Sequence, residues 1–315
     1  MRILYVGNWL RHGHFCSDEI KVARAMTLEG HDVRCVSYGR RKPPPDGQYD
    51  VVLWSKVKGG ADPEDIEEYR RHLGCKQVVW MWDAAHARPA FEWWWQCVPV
   101  FDCVFHNELG LFPKYEAKYG TPWRYLDSAC DPEYHAPAAQ PRDDWQCDVG
   151  FIGTAYGTGG RIDLLKRLAR EFSTRAWSTA PDAWRQRGIP CDGPVFGHDI
   201  ATACASASIM IGCSYKSWCE GAWSNRIYTV LGSGGFYLTQ IVPGLHNHFA
   251  RGCHLVTYGN VEDCVRLCRH WLVWPEKREA VAACGAAHVR LRHMWRHRVR
   301  EMVTYLRELN LIGAN

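Results

Sequence analysis

The chain has 315 residues, with 38 Lys+Arg against 34 Asp+Glu, and is 47% hydrophobic and 23% charged. That length can bury a large core and favours two domains over one. The charge balance neither demands nor forbids a nucleic-acid partner, and no stretch reaches membrane length, which argues against a membrane-spanning protein.

The opening MRILYVGNWL has an apolar run that stops at Gly7, too short for a signal peptide's core, so a cytoplasmic protein is expected. The sequence then alternates between strand and helix patterns. Short β-rich runs occur at 3–7, 32–37, 50–54, 77–82 and 101–105, with helical spacing at 18–29, 63–73 and 108–119 between them. Strands alternating with helices in this way predict a parallel sheet with right-handed crossovers. The segment 131–146, DPEYHAPAAQPRDDWQ, is rich in Pro, Ala and charge and lacks a period, and reads as a linker. A second series follows, with strands at 147–153, 208–212 and 253–258, helices at 161–171, 261–272 and 276–293, and an amphipathic end at 295–310. The chain therefore reads as two open α/β domains in tandem, with a ligand crevice expected at the carboxyl ends of the strands.

The 15 cysteines include no CxxC pair. Cys264 and Cys268 lie on one predicted helix and Cys213 and Cys219 flank a loop, spacings that do not suit a zinc site. Without a secretory signal they read as reduced, mostly buried thiols, and no metal is expected.

The stretch SNRIYTVLGSGGFYLTQIVPGLHNHF (224–249) puts a polar, arginine-bearing start ahead of an apolar segment and a glycine cluster. With Ser224 as N-cap, the predicted helix runs from Asn225 to Leu231 and begins at the top of the sheet, after the strand SIMIG and the loop CSYKSWCEGAW. Free amides at such a start favour a phosphate, and Arg226 adds a permanently charged planar donor set. The alternative is an arginine paired with a surface carboxylate. A second glycine-rich loop, GFIGTAYGTGGR (150–161), lies between a strand and a helix, brings Gly153 and Thr154 to the same edge, and ends in Arg161. It is neither GxGxxG nor a Walker sequence.

Together, CDVGFIGT through Arg161, SNRIYTVLGSGGFYLT, PGLHNHF and the run from NVEDCVRLC to HMWRHR resemble the C-terminal half of CgeB-like, group 1 glycosyltransferases of bacteria and phage. The resemblance covers roughly 147–300, whereas the first half matches only in outline. It implies a GT-B fold: an acceptor-side Rossmann-like domain (1–130), the linker, a nucleotide-sugar-binding Rossmann-like domain (147–294), and a last helix (295–315) returning to the first domain. It also implies a nucleotide-sugar donor, most simply a UDP-sugar. Many group 1 enzymes carry a ribose-binding glutamate three residues after this arginine; here Thr229 stands there.

On this reading Arg226 and Arg161 stabilise the leaving diphosphate without a metal, consistent with the lack of a DxD triad. Gly153, Thr154, Ser224, Asn225 and Thr229 complete the donor site. Trp218 and Glu220, in the loop before the helix, are candidates for sugar contacts, with simple packing the alternative for Trp218. Asp83, at the end of VVWMW, is the favoured general base; the alternative is a helix N-cap. His12 and His14, in the loop after the first strand, rank second as base.

Trp93, Trp94 and Trp95 are consecutive and spread around a helix, so at least one is expected at an interface, and with Arg88 they form the candidate acceptor surface. Basic clusters at Arg40–Lys42, Arg70–Arg71 and HVRLRHMWRHRVR suggest a nucleic-acid acceptor, or else the solvated faces of amphipathic helices. By analogy with phage DNA glucosyltransferases, the preferred acceptor is a 5-hydroxymethylpyrimidine in DNA, which would have to be flipped out of the duplex. The alternatives are a glycan, protein or small-molecule acceptor, or a sugar-nucleotide-binding protein without transferase activity.

Overall fold

The computed structural model describes residues 1–7, 9, 17–37, 39, 42–55, 61–82, 92–138, 140–155 and 160–313, with only the backbone described at Glu92 and Trp93. The chain divides into two compact units, Met1–Ser128 with Trp295–Asn315, and Ala129–Met294.

The first unit opens with β1 (Arg2–Gly7), α1 (Asp18–Leu28), β2 (Asp32–Ser37), β3 (Val51–Ser55), α2 (Pro63–Leu73) and β4 (Lys76–Met81). It continues with α3 (Glu92–Cys97), β5 (Cys103–His106), α4 (Phe112–Tyr119) and β6 (Trp123–Tyr125). The strands form one parallel sheet in the order β2-β1-β3-β4-β5-β6. Val51 to Ser55 are all buried, as are Gln77 to Met81, which is why these runs are continuously apolar rather than alternating. Helix α2 is closed at both ends: Asp62 and Asp65 form a reciprocal capping box, and Gly74 terminates it at φ 64°.

The second unit contains β7 (Cys147–Ile152), α5 (Arg161–Leu168), β8 (Thr174–Trp177), α6 (Pro181–Arg185), β9 (Cys191–Asp192) and α7 (His198–Ser206). There follow β10 (Ala207–Gly212), α8 (Arg226–Gly232), β11 (Tyr237–Gln240), β12 (Val256–Tyr258), α9 (Val261–Leu272) and α10 (Pro275–Arg292). Its parallel sheet has the order β12-β11-β10-β7-β8-β9. From β7 the chain winds outward through β8 and β9; it then returns to β10 and winds the other way. This is the doubly wound order, with its switch point between β7 and β10.

The segment 131–146, expected as a linker, lies within the second unit. Cys130 N donates to His293 O at 2.8 Å, and Arg142 N donates to Ser206 Oγ at 2.9 Å. Pro137 covers Gly234 so closely that a Cβ there would stand 3.1 Å from the proline ring. The segment has no period because it follows the surface of neighbouring elements, yet it is held by specific bonds.

The last helix, α11 (Trp295–Glu308), belongs to the first unit. Its buried face carries Trp295, Val299, Met302, Val303 and Leu306. Trp295 meets Trp80 and Trp82 edge-on, at 5.6 and 5.9 Å between ring centroids. Each of these large apolar side chains contributes roughly 1.5–3 kcal/mol on burial. On the exposed side, Arg296 and Arg300 both donate to Glu29, the residue that ends α1.

Candidate functional site

The carboxyl ends of β7 and β10 are where a doubly wound sheet leaves a crevice, and both candidate arginines lie on the connections that follow these strands. After β7 the chain turns sharply at Gly153, which has φ +152°. Its amide donates to Trp177 O at 2.9 Å, and its carbonyl accepts from Trp184 Nε1 at 2.8 Å. A Cβ at Gly153 would lie 3.0 Å from the Phe151 ring and 3.1 Å from Arg226 Nη1, so glycine is what lets the loop and the arginine approach. Arg161, the first residue of α5, donates from Nη1 to Thr154 O at 3.0 Å.

From the other connection, Arg226 Nη2 donates to Cys213 O, just past β10, at 2.7 Å. Among the described residues its buried Nε has no hydrogen-bond partner. The two guanidiniums converge on one ring: that of Arg226 lies 5.0 Å and that of Arg161 5.5 Å from the centroid of Phe151. An aromatic face holds each cation favourably but neutralises neither. Beneath them Tyr237 is fully buried; burial raises its phenol above the usual value while the Arg226 charge pulls the other way, so the phenol stays protonated. Tyr258 donates to Gly212 O at 2.8 Å, fixing the last turn of β10.

The start of α8 differs from the sequence expectation. The helix begins at Arg226 with Asn225 in the cap position, and no side chain caps it. Ser224 instead accepts a bond from Arg226 N through its hydroxyl, at 3.4 Å, while its carbonyl takes Ile227 N at 3.1 Å. Tyr228 N goes to Asn225 O at 3.1 Å. The first amides of this short helix are thus spent on its own turn, and the positive charge comes from the arginines. Thr229 donates to Arg226 O at 3.3 Å, which leaves its hydroxyl able to accept a bond but not to give one.

Trp218 is 67% exposed, so packing does not account for it. Glu220 is exposed and leans on the Pro-Gly turn after β11: a Cβ on Gly244 would lie 3.0 Å from Glu220 Cγ. Three contributors escaped sequence reading. Phe151 and Trp184 look like ordinary core residues, and only their partners mark them. Ser214, buried after β10, has a hydroxyl without a hydrogen-bond partner among the described residues, and nothing in its local sequence signals this.

The candidates of the first unit fare differently. Asp83, His12, His14 and Arg88 lie outside the described residues, as does the side chain of Trp93. Trp94 is fully buried, 6.2 Å from Phe101, and is a core residue rather than an acceptor contact. Trp95 is half-buried and stacks on Tyr119 at 5.4 Å. The basic run is largely committed internally. Arg296 and Arg300 hold Glu29, Arg298 donates to Ser128 O, and Arg290 to Gly232 O. Arg70 pairs with Asp102 at 2.7 Å. Bonds of this kind remove the free cationic stripe that a nucleic-acid surface needs.

Residues 161–304 match the family described as glycosyl transferase-like. That match spans a little under half of the chain. Among curated proteins none is similar to it in sequence. Solved glycosyltransferases share its fold across the whole length. Sucrose-phosphate synthase from Thermosynechococcus elongatus has TM-score 0.67 at 8% identity, covering 98% of this chain and 99% of that one. A glycosyltransferase from Rickettsia africae has TM-score 0.67 at 10% identity, covering 98% of each chain. Anabaena HepE, solved with UDP and glucose, has TM-score 0.67 at 11% identity, covering 98% of this chain and 100% of that one. The glycosyltransferase fold here is GT-B: two six-stranded parallel sheets flanked by helices. No described helix is long and apolar enough to cross a membrane. Among the described residues, the group of potential metal ligands, Cys253, His254 and Cys284, includes none of the donor-site candidates.

Proposed function

We propose that the protein transfers a sugar from a nucleotide-diphosphate-sugar, most simply a UDP-sugar, to an acceptor hydroxyl, as a CgeB-like member of the group 1 enzymes. The observation that carries this reading is the convergence of Arg161 and Arg226 on Phe151 at the switch point of the second sheet. Two guanidiniums there, one with an unpartnered buried Nε, suit a diphosphate. The acceptor oxygen bonds to the anomeric carbon as the bond to the diphosphate breaks, and the arginines stabilise the charge that develops on the leaving phosphate. Asp83 takes the acceptor proton, with His14 or His12 in its place if Asp83 serves as a cap. The arginines supply the leaving-group charge without a metal ion. Thr229 accepts a bond from the ribose, and Trp218 and Glu220 contact the sugar.

For the acceptor, the internal pairing of the basic run favours a glycan, protein or small molecule over the 5-hydroxymethylpyrimidine of DNA. The test begins with calorimetry of UDP and GDP on wild type and Arg226→Ala. Loss of a charge-assisted pair at this position predicts a fall in affinity of about 10- to 100-fold. Unchanged affinity in a folded variant rejects the site. A panel of acceptors, hydroxymethylated DNA among them, then distinguishes a transferase from a protein that only binds sugar nucleotides.

A further inference from the structure

Cys253 and Cys284 lie far apart in sequence, yet their sulfurs are 3.0 Å apart, closer than thiols in ordinary contact. Cys253 is exposed and Cys284 half-buried. What brings them together is the glycine after Cys284. A Cβ on Gly285 would lie 2.4 Å from His254 O, so only glycine lets α10 press its backbone against the loop carrying Cys253. That loop is itself fixed: Cys253 N and His254 N both donate to Ala250 O, at 3.2 and 2.9 Å, and Gly252 N donates to Leu255 O at 2.7 Å. The two thiols therefore face each other across a close contact between fixed backbone segments.

His254 completes a group of three potential metal ligands within 4.8 Å. Its Nδ1 already accepts the Ala250 amide at 3.1 Å, however, so the neutral ring carries its proton on Nε2. Neither nitrogen offers a spare lone pair, and zinc at this place would have two thiolates and no imidazole. The geometry serves two-electron thiol chemistry better than it serves a metal.

We propose that Cys253 and Cys284 form a reversible oxidation site, closed by a low-molecular-weight disulfide such as oxidised glutathione. The exposed Cys253 thiolate attacks one sulfur of that disulfide, forming a mixed disulfide and releasing one thiolate. The Cys284 thiolate then attacks the Cys253 sulfur and releases the second. Two protein thiols lose two electrons and two protons, and the small disulfide is reduced to two thiols. The bond clips the β11–β12 connection to α10, the helix that packs on α8. The site is independent of the donor reading.

The test is to incubate the intact protein with oxidised glutathione, alkylate the remaining thiols, and map peptides without reduction. The expected result is a Cys253–Cys284 cross-linked peptide, lost on adding dithiothreitol, with a rise in thermal midpoint of about 5 °C. Cys284→Ser should trap glutathione on Cys253, and Cys253→Ser should leave Cys284 alkylated. Wild-type protein that stops at glutathione on Cys253, or keeps both thiols free, overturns the proposal. So does protection of both thiols from alkylation by added zinc together with loss of cross-linking at one equivalent, because that outcome assigns the pair to a metal.

Discussion

Arg161 and Arg226 come from opposite sides of the switch point in the second sheet and hold the same ring, that of Phe151. Arg161 is anchored to Thr154 O and Arg226 to Cys213 O, so each side chain is fixed by the carbonyl edge of the strand next to its own connection. The two guanidiniums share one aromatic face, and an anion bound there would draw on both charges. UDP is therefore expected to raise the thermal midpoint of the wild type. At a concentration 100 times its Kd, linkage gives about 2.7 kcal/mol of stabilisation. Scanning calorimetry with and without UDP reads this directly, and in Arg226→Ala the ligand-dependent rise should be largely gone.

Gly153 sits between Phe151 and Arg226. Gly153→Ala puts an L side chain at φ +152° and pushes a methyl group against both neighbours. The strain is about 1–3 kcal/mol. The variant should melt several degrees lower and bind UDP about tenfold more weakly, since the guanidinium must move. Wild-type affinity at a lowered midpoint would mean that the loop is structural only.

Thr229 gives its proton to Arg226 O and can only accept. Thr229→Glu supplies a carboxylate, which can take bonds from both ribose hydroxyls, and should tighten UDP binding about three- to tenfold. Thr229→Val should weaken it by a few-fold. Equal affinities across the three proteins would place the ribose elsewhere.

Asp83→Asn keeps the shape and removes the basicity. Transfer should fall by about 100-fold or more, with donor affinity unchanged. If His14→Gln produces that pattern instead, the base is the histidine and Asp83 is a cap.

Glu29 offers a pH test of the first unit. Bonds from Arg300, and from Arg296 beside it, hold its carboxyl below the usual carboxylate range. A depressed folded-state value means that the contribution is present above the unfolded value of about 4.3 and fades as pH falls through the folded value. Both arginines stand half in water, so the effect is at most about 1 kcal/mol. Glu29→Gln should lower the midpoint slightly at pH 7 and show a shallower loss of stability below pH 4.5 than wild type. Parallel curves would show that the pair contributes nothing.

The long apolar runs were readable because parallel strands buried on both faces must be apolar throughout; β3, β4 and β10 announce themselves in this way. Strands β6, β8 and β9 do not. They lie toward one end of each sheet, are at most four residues long, and carry Arg124, Arg175 and Asp192. The alanine-rich α7 also escaped notice, since alanine marks no face. At the site, glycine loops and arginines were legible as types. That the amides of α8 are consumed within its own turn depends on backbone angles at Ser224 and Asn225, which residue identity leaves open. Trp94 was misplaced because three adjacent tryptophans cannot be sorted into core and surface without the neighbouring helices.

The second unit is one unbroken stretch, whereas the first is closed by α11 from the far end of the chain. During synthesis the order of completion is therefore inverted. The second unit has all its residues before the first does, and until Trp295 emerges, Trp80 and Trp82 lack a ring that covers them. A polypeptide ending near Met294 would hold a complete second unit and a first unit with an open apolar seam. That is the kind of surface chaperones and proteases bind.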